Sequence, residues 1–275
     1  MSSLDLIKAA DFRNTGVGAF NVILLEHAEA IVLGAELAKL PTILQISQNA
    51  VAYHGALKPI GLAALACAQS SSIAISVHLD HAEDTNLIKE ALDLGFDSIM
   101  YDGSKLEFKE NVATSKKMAD LSHSYGATIE VELGEIGGKD GVHAPGVKTH
   151  SLEAKLFVEE TGVDLLAVAV GSSHAMTSRN AQLDFDLIAE LRSMVPVPLV
   201  LHGSSGVSDG DLQKAIRSGM RKINIATHLN HVFTDAVRSV LNNDPKLVDP
   251  RKYINEARNG VAREIERLLK LLDLQ

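Results

Sequence analysis

The chain has 275 residues, 46% of them hydrophobic, enough for a sizeable core in one large domain or two small ones. A formal charge of −9 and a pI near 5.6 argue against general affinity for nucleic acid or anionic membrane, so an anionic ligand would need local positive sites. A single cysteine excludes an internal disulfide. With no cationic and apolar leader in residues 1–5, and no apolar run long enough for a bilayer, a cytoplasmic location is expected.

Short runs rich in Ala, Val and β-branched residues, ending in small polar residues, predict strands at 16–21, 42–47, 73–79, 98–102, 127–133, 165–171, 198–203 and 222–227. Between them, apolar residues recur at three- and four-residue steps over 27–40, 85–94, 111–125, 152–161, 185–194 and 209–218, predicting helices. Gly95, Gly126, Gly162 and Gly219 follow four of these helices, where a left-handed residue ends a helix. Cys67 lies in an Ala-rich apolar run and is read as a small core residue. The tail, 253–272, is an amphipathic helix that would cover the rest of the fold or a partner subunit. Eight strands alternating with helices, with no linker to divide them, predict an α/β fold: a single (β/α)8 TIM barrel over residues 1–275. A doubly wound open sheet is the competing arrangement.

Each predicted strand ends in polar chemistry: Asn21, Ser47, Asp80 and His81, Asp102, Glu132, His174, His202, and 224–227. The C-terminal ends of barrel strands form the active-site face. His81, His174 and His202 are separated by 93 and 28 residues, about three βα units and one. They should therefore converge at one end of the barrel, where three imidazoles make a zinc site with a free coordination position. Asp80, adjacent to His81, is placed to transfer a proton. His78 lies inside the same strand and is read as a core residue or one behind a ligand. The turn Gly203-Ser204-Ser205 and the segment Asn224-Ile225-Ala226-Thr227 follow strands 7 and 8, where barrels often bind phosphate. No lysine ends the sixth strand, and Lys222 is expected to start its own, so a Schiff-base route is not suggested.

Read together, HLDH at 78–81, ELG at 132–134, GSSH at 171–174, LHGSSG at 201–206 and KINIAT at 222–227 resemble the class II ketose-bisphosphate aldolases. These are zinc enzymes that cleave fructose or tagatose 1,6-bisphosphate, and the resemblance runs from residue 19 to 253. It implies that His81, His174 and His202 hold Zn²⁺ and that Asp80 exchanges the proton of the aldehyde half. It implies that Gly203, Ser204, Ser205 and 224–227 bind dihydroxyacetone phosphate, with a backbone contribution from Ala175. Asn21 and Ser47 match positions near substrate, and Asp102 and Glu132 match an alternative, more buried metal position. A monovalent cation near the phosphate and a homodimer or homotetramer are further expectations.

The chain departs from the family pattern at three places. Ala175 stands where glycine is common and is expected to hold a negative φ. Arg179 replaces a lysine. The loop after the fifth strand reads Gly137-Gly138-Lys139-Asp140-Gly141, leaving Glu135 and Asp140 as candidates for the base at the enediolate carbon. Arg258 falls where some members carry the arginine for the second phosphate. Two other readings use the same residues: a metal-dependent hydrolase, and a non-catalytic or chaperone-like sugar-phosphate-binding subunit.

Overall fold

A computed structural model of the chain describes residues 2–134 and 148–275. In chain order the elements are α1 (Ser3–Arg13), β1 (Val17–Asn21), α2 (Leu25–Ala38), β2 (Thr42–Ser47), α3 (Gln48–His54), α4 (Leu57–Ser70) and β3 (Ile75–Ala82). Then come α5 (Thr85–Leu94), β4 (Ser98–Tyr101), α6 (Phe108–Ser124), β5 (Thr128–Leu133), α7 (Ser151–Thr161) and β6 (Leu165–Val168). The chain finishes with α8 (Phe185–Met194), β7 (Leu199–Leu201), α9 (Asp209–Ser218), β8 (Met220–Ile225), α10 (Thr227–Asn243) and α11 (Pro250–Leu272). The eight strands pair in sequence order, all parallel, and β8 closes on β1, so the sheet is a barrel and not an open fold.

Strand alternation decides what fills the barrel. Along β3, Val77 and Leu79 join the layer under the helices, whereas Ser76, His78 and Asp80 occupy the opposite, inner face. The lower interior is apolar and is plugged by α1, whose Leu6, Ile7 and Ala10 pack with Val17, Ala19, Ile43, Leu165, Ala167 and Val200. Above that plug the interior turns polar. Lys222 Nζ lies 2.8 Å from Glu130 Oε2, both side chains fully buried, an ion-pair contact without hydrogen-bond geometry. Breaking such a pair typically costs about 3–5 kcal/mol, because the remaining charge is stranded. Burial pushes the Glu130 carboxyl up, but Lys222 and the His202 hydrogen bond outweigh it and hold the group well below the usual range. His78 is driven down to about 3, first by burial and then by Lys222, so it is neutral; its Nδ1 lies 2.7 Å from Ser98 Oγ.

The fold corrects several sequence boundaries. Lys222 is the third residue of β8, inside the barrel, rather than the start of the strand. Helices α1, α3 and α4 were not anticipated: α3 is a short turn, and the Ala-rich face of α4 has weak periodicity. Cys67, on α4, is half-buried, and its thiol is pushed up by burial and then by Glu29. The tail helix begins at Pro250, three residues before the expected start, because Asp249 caps it and proline suits the first turn. It packs on α2 and α10, covering the barrel of its own chain. Gly34 permits that approach, since a Cβ there would sit 2.6 Å from Ala262 O. Gly95 and Gly162 take the expected left-handed φ, +94° and +69°. Among the described residues, no single helix is long and apolar enough to cross a membrane.

Candidate active site

Asp80 and His81 are consecutive, so a regular strand would aim them at opposite faces. The β3–β4 register shifts between Leu79 and Ala82, and His81 takes φ +50°. That irregularity turns His81 back toward the barrel mouth beside Asp80. A non-glycine residue in the left-handed region costs of order 1–3 kcal/mol, a strain that tends to collect at functional sites.

The three histidine rings converge. Ring centroids are 4.5 Å apart for His81 and His202, 4.9 Å for His81 and His174, and 5.7 Å for His174 and His202. One donor atom from each, with one carboxylate oxygen of Glu132, lies within 4.8 Å of every other. Carboxylates set the ring orientations. His81 Nδ1 lies 2.9 Å from Asp102 Oδ2, and His202 Nε2 lies 2.9 Å from Glu130 Oε1. His202 thus divides its nitrogens between Glu130, at Nε2, and a prospective cation, at Nδ1. That Nδ1 is buried, makes no hydrogen bond and stands 3.4 Å from Glu132 Oε2. Burial pushes the His202 ring down, yet its hydrogen bond to Glu130 and the nearby Glu132 carboxylate outweigh this and lift it to about 9. Three imidazoles and one carboxylate, with two of the rings steered by an outer acid, fit a divalent transition metal. Of the two acids matched to an alternative metal position, Glu132 joins the cluster, whereas Asp102 is spent on His81.

Asp80 is buried at the wall of the same cavity, about 280 Å³ in volume. Burial pushes its carboxyl up, but His81, His202 and Lys222 outweigh this and hold it near 2, so it is ionised at neutral pH. Two amides fix it: Asn21 Nδ2 donates to Oδ2 at 3.2 Å, and Asn224 Nδ2 donates to Oδ1 at 3.4 Å. Gln45 Nε2 donates to Asn21 Oδ1 at 2.7 Å, which commits the Asn21 amide to facing Asp80 with its NH₂.

Ala175, Gly203, Ser204, Ser205, Ala226 and Thr227 line the opposite part of the cavity, and Ser47 and Asn224 line it too. Gly203 has φ +65°, and a Cβ there would lie 2.6 Å from the Ser173 carbonyl, so only glycine lets the loops of His174 and His202 meet. Ser205 Oγ accepts from the N–H groups of Ala226 at 3.3 Å and His228 at 3.1 Å, tying the β7 turn to the start of α10. Ala175 overturns its expectation, with φ +56°. Relief of that strain, about 1–2 kcal/mol, should exceed the entropy that glycine adds to the unfolded chain, about 0.4–1 kcal/mol. Ala175→Gly should accordingly gain about 0.5–1 kcal/mol in denaturant melts; a loss would mean that the alanine is not strained.

Three residues expected to bind substrate stand away from the cavity wall. Ile225 is buried in β8 and is not a lining residue. Arg179 braces the β7 turn from outside, donating to Val207 O at 2.8 Å and pairing with Asp209 at 2.5 Å. Arg258 pairs with Glu29 at 2.7 Å and Asn255 at 2.9 Å. Glu135, Lys139 and Asp140 lie outside the described residues. Sequence reading missed Gln45, Glu130 and Lys222, although each stands two places before a flagged residue (Ser47, Glu132, Asn224) and so shares its face. The lining residues Gln48, Asn49, Glu83 and Lys105 follow strand ends and carry no periodic signal.

A family model for class-II fructose-bisphosphate aldolase matches residues 1–275. The fructose-bisphosphate aldolase of Thermus caldophilus is 35% identical over 298 residues, covering 98% of this chain and 97% of that protein. The fructose-bisphosphate aldolase of Staphylococcus aureus is 36% identical over 274 residues, covering 98% and 96%. Among solved structures, the YdjI aldolase of Escherichia coli K12 superposes with a TM-score of 0.85 at 30% identity, covering 99% and 96%. A chain from Coccidioides immitis gives 0.88 at 29% identity, with the same coverage.

Proposed function

The chain belongs to the class II fructose-bisphosphate aldolase family, and from that membership we propose that it reversibly splits a ketose 1,6-bisphosphate, fructose or tagatose. The products are dihydroxyacetone phosphate and glyceraldehyde 3-phosphate. The observation that carries this reading is the convergence of three imidazoles from separate strand ends beside an ionised Asp80. His81, His174 and His202 are the proposed ligands of Zn²⁺, with Glu132 at the edge of the set. Bound there, the ion supplies the positive charge that accepts electron density from the ketose carbonyl as the carbon–carbon bond breaks.

The side chains divide the remaining work. Asp80 takes the proton of the C4 hydroxyl, the C3–C4 bond breaks, and the electron pair stays on the dihydroxyacetone phosphate half as an enediolate. In condensation Asp80 returns that proton to the new hydroxyl. Asn21 and Asn224 keep the carboxylate aimed before the transfer. Gly203, Ser204, Ser205, Ala226 and Thr227 form the proposed phosphate cradle. The first N–H groups of a helical turn lack partners within it, and the positive end of α10 adds to the attraction. Glu130 and Asp102 hold the two ligand rings, and Lys222 keeps Glu130 charged within the barrel.

A coupled assay for dihydroxyacetone phosphate, run with both bisphosphates, tests the proposal. Release of dihydroxyacetone phosphate from at least one of them is expected. Release of inorganic phosphate without carbon-chain cleavage would favour the hydrolase reading. Binding of both sugars with no turnover by the zinc-loaded protein would favour the non-catalytic one.

A further inference from the structure

The proposed phosphate cradle is built from two segments far apart in the chain, the β7 turn at 203–206 and the start of α10 at 226–228. Backbone N–H groups hold a phosphate well only if such segments keep their spacing before the ligand arrives. Neither segment secures that spacing alone. Ala226, which opens α10, offers no side-chain cap, and Ser205 Oγ of the turn caps the helix instead. One hydroxyl is a narrow join, and each segment has a second anchor outside the cavity.

The two anchors meet on the tail helix. From the start of α10, His228 Nε2 lies 2.6 Å from Glu264 Oε1. From the turn, Val207 O accepts from Arg179 Nε at 2.8 Å, and Arg179 Nη2 lies 2.5 Å from Asp209 Oδ1. Asp209 Oδ2 lies 2.6 Å from Arg267 Nη1. Arg267 closes the ring, donating from Nε to Glu264 Oε2 at 2.9 Å and from Nη2 to Glu264 Oε1 at 2.7 Å. Glu264 and Arg267 are three residues apart on α11, so one helix face carries both. None of His228, Glu264, Arg267, Asp209 and Arg179 lines the cavity.

We propose that Glu264 and Arg267 are positioning residues: from the tail helix they hold the two halves of the cradle in register and so set the affinity for dihydroxyacetone phosphate. This rests on the aldolase reading above and gives α11 a part in it besides covering the barrel. Isolated surface ion pairs contribute little, but a bidentate arginine–carboxylate pair inside a connected set of charges is the case that fixes geometry. Burial pushes the Glu264 carboxyl up, but hydrogen bonds from His228 and Arg267 outweigh it and hold the group near 2. The two carboxylates, Asp209 and Glu264, are matched by Arg179 and Arg267, so the ring adds no net negative charge beside an anionic ligand.

Calorimetric titration of the zinc-loaded protein with dihydroxyacetone phosphate, alongside condensation kinetics with glyceraldehyde 3-phosphate, tests this. Arg267→Met keeps the apolar stem but cuts the link between the two anchors, and at 42% exposure the side chain is not needed for folding. It should weaken binding of dihydroxyacetone phosphate about fivefold or more, with KM for that substrate rising to match. The kcat and the KM for glyceraldehyde 3-phosphate should stay within about twofold of wild type. Glu264→Ala should act in the same direction, and Glu264→Gln, which keeps an acceptor facing His228, should restore most of the affinity. Inorganic phosphate, as a competitor for the cradle alone, should lose potency in the same variants. A ring that only stabilised the fold would lower Tm and leave the Kd of the folded protein unmoved. A Kd within about twofold of wild type in Arg267→Met therefore overturns the inference, and so does an equal loss for both substrates. Absence of condensation by the wild type overturns the aldolase reading instead, while the calorimetric Kd values still decide the role of the tail helix. If the wild type does not bind dihydroxyacetone phosphate, both are overturned.

Discussion

Replacing Asp80 with alanine should reduce turnover by about 10²-fold or more while leaving the metal content of the protein unchanged. Asp80 is not among the four residues whose donor atoms cluster, so its removal takes no ligand from the ion. What is lost is a carboxylate that burial pushes up and that the surrounding positive charges nonetheless hold near 2. Asn21 and Asn224 would then point NH₂ groups at an empty position, and an amide cannot take a proton from a hydroxyl at neutral pH. Measuring kcat alongside bound metal separates this from a structural failure. A variant that kept its ion and ran within about tenfold of wild type would remove Asp80 from the proton transfer.

Chelation is the second large effect. If the ion stabilises the developing charge by about 4 kcal/mol, removing it should lower turnover about 10³-fold, with recovery on adding Zn²⁺. The same treatment should lower thermal stability, because a ligand held at 100 times its Kd stabilises the native state by about 2.7 kcal/mol. Activity unmoved by chelation would point to a Schiff-base enzyme. The barrel lysine that reading would need, Lys222, is fully buried against Glu130, where an incoming ketose cannot reach its Nζ. Borohydride trapping in the presence of substrate should consequently give no adduct at Lys222.

Much of the site is written locally. An apolar run that stops at a polar residue marks a strand end whatever the rest of the molecule does. Asn21, Ser47, Asp80, His81, His174 and His202 are all legible on that basis, and equal spacing of βα units assigns them to one rim. Period-two alternation extends this along each strand: His78, Glu130 and Lys222 share faces with Asp80, Glu132 and Asn224.

Other features depend on closure of the ring. The contact of Lys222 with Glu130 joins strands that are not neighbours in the sheet, and so does the approach of His78 to Glu130. Arg258 had the right charge at a plausible position, but α11 carries it to Glu29. Lys105 had no motif around it, yet the turn after β4 brings it to the cavity.

Strand number, the rim that bears the chemistry and the residue types offered there were determined by the sequence itself, because hydrophobic period and turn residues act over a few positions. The tertiary structure decided which partners meet across the barrel, which cations stay at the mouth, and that His81 and Ala175 bend to positive φ. Those outcomes depend on distances between residues far apart in the chain, and such distances exist only once the sheet has closed.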